Sequence, residues 1–224
     1  MKVEGVAPRR KLRVAVTFSP PPKADIKEAE YEGEKLLIDK KIAERCDIKV
    51  GTVLSEEEVF ELVYVSECYR AKQRAVWLLS KQDYSEKALY QKLCKNFTAK
   101  AAAFAVSQML KKGYVNDERF AERLILNCKA KNMSKRQISG KLFQNGISND
   151  ISNSLLNEVE DLSKTDLDRA VELIRSKYIN KIGDEDSRKK TFNALMRRGF
   201  LASDIKKAFS IVANFDCFEE ENFE

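Results

Sequence analysis

The sequence predicts a mostly α-helical protein, with tandem three-helix repeats forming an elongated array behind a small N-terminal β-containing module. Three observations carry this prediction. Helix signals return in groups of three, with corresponding anchors about 50 residues apart. All four prolines (Pro8, Pro20, Pro21, Pro22) fall in the first 22 residues. A stretch of strict apolar–polar alternation, which suits a strand and not a helix, lies between them.

That stretch is residues 11–18, KLRVAVTF, with Leu12, Val14, Val16 and Phe18 on one face and Arg13, Ala15 and Thr17 on the other. The pattern predicts a half-buried strand, ended by Pro20-Pro21-Pro22, since consecutive prolines neither donate to a ladder nor start a helix there. A second extended piece is predicted at 31–39, with Gly33 allowing a bend. At Ser55 the character changes. Ser55 and Glu58 have the capping-box spacing, and Glu56, Glu57 and Glu58 suit the positive end of a helix dipole.

From there on the chain reads as helix, turn, helix. The first round has stripes at Ala75, Val76, Leu78 and Leu79; at Ala88, Leu89 and Leu93; and at Ala102, Ala105, Val106, Met109 and Leu110, closed by Gly113. The second has Phe120, Ala121, Leu124, Ile125 and Cys128. It continues with Ile138 and Leu142, from a Ser134–Gln137 box to Asn145-Gly146, and ends with Ile151, Leu155 and Val159. The third has Leu167, Ala170, Val171, Ile174 and Tyr178; then Phe192, Leu195 and Met196 up to Gly199; then Ile205, Ala208, Phe209 and Val212, with Ser203 as the expected N-cap. Ala75, Ala121 and Ala170 correspond, as do Leu93, Leu142 and Leu195, and LFQNGIS (142–148) aligns with LMRRGFL (195–201) without a gap. Units this small have slender cores, so neighbours must share contacts. The expected division is a module at 1–54, repeats at 55–115, 116–164 and 165–215, and a disordered acidic tail at 216–224.

Composition narrows the chemistry. The 224 residues include no histidine, which excludes Ser-His-Asp and Cys-His catalysis and imidazole metal ligation. Cys46, Cys68, Cys94, Cys128 and Cys217 form no Cys-x-x-Cys pair, which excludes a zinc ribbon, and they read as thiols of a reducing cytosol. No stretch has the roughly 20 apolar residues of a membrane span, and no apolar signal core follows the basic N-terminus. A cytoplasmic protein without cofactor, metal or small-molecule substrate is the expectation. Trp77 and Tyr90 are expected in the core, and Asp184 and Asp186 cap a helix better than they hold a metal.

Charge is unevenly spread. Residues 1–69 carry a net −2, residues 70–215 a net +13 and residues 216–224 a net −5. A section this basic suits a polyanion or an acidic protein surface; a set of solvated helix faces is the other reading.

The segment Leu110-Lys111-Lys112-Gly113-Tyr114-Val115-Asn116-Asp117-Glu118-Arg119-Phe120-Ala121 resembles the signature of the RecX family of recombination regulators. Leu142-Phe143-Gln144-Asn145-Gly146-Ile147 and Arg197-Arg198-Gly199-Phe200 are further matches. Ala75, Leu78 and Leu79 ahead of Tyr84-Ser85 resemble the family's opening, although Asp83-Tyr84-Ser85 replaces its arginine-serine and Ala88 stands in place of its glutamate. The resemblance covers about residues 70–213. Gly113 suits the left-handed residue that ends a helix, with Tyr114 and Val115 packing back and Asn116 or Asp117 capping the next. Gly113, Tyr114, Asn116, Asp117, Phe120, Ala121, Gly146, Gly199 and Phe200 are therefore read as structural. The resemblance implies a non-enzymatic modulator, most often an inhibitor, of RecA that binds the groove of the RecA–DNA filament and reduces strand exchange, ATP hydrolysis and coprotease activity.

The candidate contact residues are basic clusters: Lys111 and Lys112; Lys129, Lys131, Lys135, Arg136 and Lys141; and Arg188, Lys189, Lys190, Arg197, Arg198, Lys206 and Lys207. Arg197 and Arg198 stand out, because a guanidinium binds phosphate or carboxylate bidentately. The partners expected are the RecA filament and, weakly and without sequence preference, DNA. The competing class is a stand-alone DNA-binding helical protein; an enzyme has least support.

Overall fold

The computed structural model describes residues 1–9, 12–22, 31–32, 35–160, 165–181 and 183–220. The chain divides into two compact units, Met1–Val115 and Asn116–Glu224.

The first unit opens with a four-stranded antiparallel sheet in the order β1-β2-β4-β3, built from β1 (Lys2–Arg9), β2 (Arg13–Ser19), β3 (Tyr31–Glu32) and β4 (Lys35–Asp39). Strand β1 was not expected from the sequence. Its apolar residues do not alternate cleanly, and a register shift between Val3 and Gly5 breaks the pattern. Strand β2 pairs Val14 with Ile38 and Val16 with Leu36. Leu12 is a correction: it lies in the turn before β2 with φ +61° and is 68% exposed. The backbone has left the pleat there, so Leu12 does not share the buried face of Val14, Val16 and Phe18. Gly33 lies outside the described residues.

After the short α1 (Lys40–Arg45), the 24-residue α2 (Glu56–Leu79) begins with the expected capping box. The Glu58 N–H donates to Ser55 Oγ (3.1 Å) and the Ser55 N–H to Glu58 Oε2 (2.7 Å). The helix serves two cores. Its first half lays Val59, Leu62 and Val63 on the sheet residues Val3, Val16, Phe18, Leu36 and Ile38. Its second half packs Cys68, Ala71, Ala75 and Leu78 against α3 (Glu86–Cys94) and α4 (Ala99–Lys111). Ala101, Ala102 and Ala105 are fully buried, and their small side chains let α4 lie close on α2. The buried Glu67 joins the two, accepting from the N–H (2.7 Å) and Oγ1 (2.6 Å) of Thr98, the α4 N-cap.

The second unit holds the other two repeats. Helices α5 (Asp117–Lys129), α6 (Lys135–Gln144) and α7 (Asn149–Glu160) enclose Ala121, Ile125, Cys128, Ile138, Leu142, Ile147, Leu155 and Leu156. Phe120 packs against this cluster, and the Val159 side chain lies outside the described residues. Helix α8 (Asp166–Leu173) runs on through a π-helical turn, Ile174–Tyr178, and is followed by α9 (Glu185–Arg197) and α10 (Ala202–Glu220). Their core is Ala170, Leu173, Ile174, Leu195, Phe200, Ile205, Ala208, Phe209 and Val212. Ser203 is another correction. Helix α10 already begins at Ala202, and the Ile205 N–H donates to the carbonyl of Leu201, which puts Ser203 inside the first turn. The helix also takes in 216–220 of the expected tail; residues 221–224 lie outside the described residues.

Gly113, Gly146 and Gly199 end α4, α6 and α9 in the same way. All three have positive φ (68°, 81° and 81°), and the residue after each donates its N–H five residues back, to Met109, Leu142 and Leu195 respectively. This is the Schellman arrangement, in which a left-handed residue turns the chain and satisfies the last carbonyls. Ile147 and Phe200 then drop into the core, whereas Tyr114 remains 53% exposed and leaves that place to Val115.

Candidate polyanion-binding surface

The site is built from helix ends. Ser134, fully buried, is the N-cap of α6: its Oγ accepts from the Gln137 N–H (3.3 Å) and donates to the carbonyl oxygen of Arg198 (2.6 Å) at the end of α9. The next N–H of α6, that of Lys135, donates to both carboxylate oxygens of Asp166 at 3.1 Å. Asp166 also pairs with the buried Arg169 at 2.7 Å. Repeat 3 thus satisfies one open N–H of a repeat 2 helix, that of Lys135, which would otherwise need water or a local cap. Gly199 completes the seam. A Cβ there would lie 2.9 Å from Ser134 Oγ and 3.1 Å from Arg136 Cβ, so the Arg136 stem rests directly against the glycine.

The consequence is electrostatic. The Arg136 stem and the end of α9 that carries Arg197 and Arg198, about 60 residues apart in sequence, meet at one junction. The C-terminal end of α9 carries negative partial charge, which favours the two arginines there. Among the described residues, neither Arg136, Arg197 nor Arg198 has a carboxylate partner. Arg197 and Arg136 are exposed; Arg198 is half-buried, its guanidinium 6.0 Å above the Tyr178 ring.

The remaining candidates distribute around this junction or away from it. Lys131 and Lys141 both lie near Cys128, whose thiol is pushed up by burial and drawn partly back by these two ammonium groups. Lys129 is half-buried at the end of α5. On α9, Arg188 sits 5.0 Å over the Phe209 ring of α10, the helix that carries the exposed Lys206 and Lys207. Lys190 is exposed and acts at a distance on the Asp184 carboxylate, and Lys189 is held at 2.8 Å by Glu185. Lys111 and Lys112 are exposed at the end of α4, in the other unit, with the Lys112 ammonium 6.0 Å over Tyr114. Asp184 is the N-cap of α9, and the N–H of Ser187 lowers its carboxyl below the ordinary aspartate value. Among the described residues, no group of three or more Cys, Asp or Glu could hold a metal ion, and no helix is long and apolar enough to cross a membrane.

No protein-family model matches the chain. Curated relatives do. A protein of Trichlorobacter lovleyi named "Regulatory protein RecX" is 30% identical over 149 residues, which cover 64% of this chain and 94% of that one. The chain belongs to the RecX family. A RecX protein of Caldanaerobacter subterraneus subsp. tengcongensis is also 30% identical, over 79% of this chain and 91% of its own length. One of Clostridioides difficile is 26% identical over 82% and 87%. The fold agrees with two solved RecX structures at 17% identity. One has a TM-score of 0.58 and covers 92% of this chain; the other, from Lactobacillus salivarius, has a TM-score of 0.55 and covers 66%.

Beyond the differences in the fold, two further features of this RecX-family chain escaped the reading of its sequence. One is the seam of Ser134, Asp166, Arg169 and Gly199, which depends on contacts between residues 31 to 64 positions apart. The other is Trp77, expected in the core but 49% exposed. The buried positions Cys68, Ala71, Ala75 and Leu78 lie three or four apart on one helix face, and Trp77 falls a full 100° step off it. A stricter helical wheel would have found it.

Proposed function

We propose that this RecX-family chain regulates the RecA recombinase by binding the RecA–DNA filament in its groove, with inhibition of strand exchange, ATP hydrolysis and coprotease activity as the result. The chain acts in the cytoplasm, by contact and without a catalytic step of its own. The observation that supports this most is the junction at Arg136, Arg197 and Arg198, a concentration of cations without carboxylate partners among the described residues. Three arginines carried by the elements of one seam suit phosphate or clustered carboxylates, the two kinds of anion that a nucleoprotein filament offers. Tandem repeats along the chain suit a partner that is itself repetitive. Several weak contacts then add through effective concentration, and no deep pocket is required. Non-specific, salt-sensitive DNA binding accompanies this activity.

The test is ATP hydrolysis by the cognate RecA on single-stranded DNA, with this protein added well below the RecA concentration. Inhibition at such ratios, and its weakening in an Arg136→Glu/Arg197→Glu variant, is the expected result. An unchanged rate together with salt-dependent DNA binding would replace the proposal with a stand-alone DNA-binding protein.

A further inference from the structure

The second half of α2 carries a surface that the basic junction does not use. Residues 68–82 contain four cations (Arg70, Lys72, Arg74, Lys81) and no carboxylate, in a chain where a third of all residues are charged. Arg70, Arg74 and Trp77 follow one another at steps of four and three, which places them along one helix face, and Lys81 lies in the turn just past the end of α2. The indole of Trp77 is half exposed, and the Arg74 guanidinium lies over its ring at 4.2 Å from the centroid. Arg70 lies at 6.0 Å over the Phe97 ring. Among the described residues, neither Lys72, Arg74 nor Lys81 has a carboxylate partner.

The exposed half of the indole contributes nothing to folding. Its burial is worth more than that of any other side chain on this helix, and the fold buries Ala75 and Leu78 instead. Arg74 covers part of the ring and brings positive charge to it, and the indole stays half exposed with Arg74 in place. An aromatic side chain with a cation one helical turn before it and another in the turn that follows the helix is an arrangement that suits a single-stranded nucleic acid: a base stacks on the ring while neighbouring phosphates meet the cations. An acidic protein segment would match the charge but not the flat aromatic face. A duplex would match the charge but would keep its bases stacked on one another and out of reach. We propose that Arg74, Trp77 and Lys81 form a stacking site for single-stranded nucleic acid on the first unit, separate from the junction of the second.

The inference rests on the DNA-binding part of the proposed function and can fail without it. Trp77 is the sole tryptophan of the chain, so its emission reports on this site alone. The full chain is titrated into a fluorescein-labelled oligothymidylate at low salt, with anisotropy and, in parallel with unlabelled oligomer, tryptophan emission followed. The expected result is quenching with the same midpoint as the anisotropy rise, little quenching by a duplex of equal length, and about tenfold weaker binding in Trp77→Ala, as loss of one base–aromatic stack implies. Arg74→Ala, which keeps the indole, should weaken binding and quenching together. An anisotropy rise without quenching would overturn the stacking site and leave DNA binding to the basic junction. No anisotropy rise would overturn both. Quenching by RecA free of DNA but not by the oligomer would make this a protein-docking face and overturn the inference as well.

Discussion

Gly113 ends the third helix of repeat 1 and Gly199 the second helix of repeat 3 with the same turn, but they do different work. Both adopt positive φ and both complete the same pair of backbone hydrogen bonds. Around Gly113, a Cβ would meet nothing within 4 Å; at Gly199 it would meet Ser134 Oγ at 2.9 Å and Arg136 Cβ at 3.1 Å. One glycine is required by its own backbone only, the other also by a neighbouring repeat. A local turn repeated along a chain can thus be reused as a docking point, and only the three-dimensional contact tells the two uses apart.

Alanine at the two positions gives the largest expected difference. Gly113→Ala should cost about 1 kcal/mol, the ordinary penalty of a left-handed L-residue. Gly199→Ala should cost about 3 kcal/mol, because displacement of Ser134 and Arg136 adds an overpacking cost of about 1–3 kcal/mol to that penalty. Hydrogen exchange resolved by peptide checks this: Gly199→Ala should expose α6 as well as α9, and Gly113→Ala only the end of α4. Equal losses at both sites would mean that the seam between repeats 2 and 3 contributes nothing.

The same contrast separates two capping carboxylates, the buried Glu67 and the half-buried Asp166. Glu67 caps α4 from within its own repeat, whereas Asp166 reaches from repeat 3 to the Lys135 N–H in repeat 2 and holds the buried Arg169. Removing one partner of a buried ion pair costs about 3–5 kcal/mol when water cannot replace it. The Asp166 side chain is 24% exposed, so Asp166→Ala should cost less, about 2 kcal/mol. The loss should appear as faster exchange in both α6 and α8. Glu67→Ala should instead loosen α4 and leave the second unit as it was. If Asp166→Ala loosened α8 alone, Asp166 would be a local partner of Arg169 and not a link between repeats.

What could be read in the sequence follows the same line. Capping residues, helix-ending glycines and three-residue to four-residue apolar stripes are local, and Ser55, Ser134, Asp184, Gly113, Gly146 and Gly199 all stand where those rules put them. The same rules failed at Ser203, where Leu201 precedes the helix, and at Leu12, where a turn interrupts an apparently perfect alternation. Strand β1 was hidden by Gly5 and its register shift. The basic clusters were visible as composition, but the meeting of Arg136 with Arg197 and Arg198 depends on Gly199 fitting beneath an arginine stem, and nothing local encodes that. Met196, expected on the apolar stripe of α9, is 42% exposed beside the buried Leu195, as Trp77 is beside Leu78. In both cases adjacency in sequence was taken for adjacency on a helix face.

The smallest effect expected concerns charge at a helix start. Ser85 caps α3 in the first unit with a hydroxyl, which does not titrate, whereas Asp184 caps α9 in the second with a carboxylate. The N–H of Ser187, with help from its hydroxyl and from Lys190, favours the charged form and lowers the Asp184 carboxyl below the ordinary aspartate value. A lowered folded-state value means that the cap's contribution is fully present above the unfolded value, about 3.9. It is lost as pH falls through the lower, folded one. Protection of the first turn of α9, taken relative to the intrinsic exchange rate at each pH, should therefore fall in acid while that of α3 does not. Asp184→Asn keeps an acceptor for the Ser187 N–H but removes the titration, so the acid-dependent difference between α9 and α3 should vanish in that variant. If it persisted, acid would be acting elsewhere in the second unit, and the cap would play no part in the difference between the two helices.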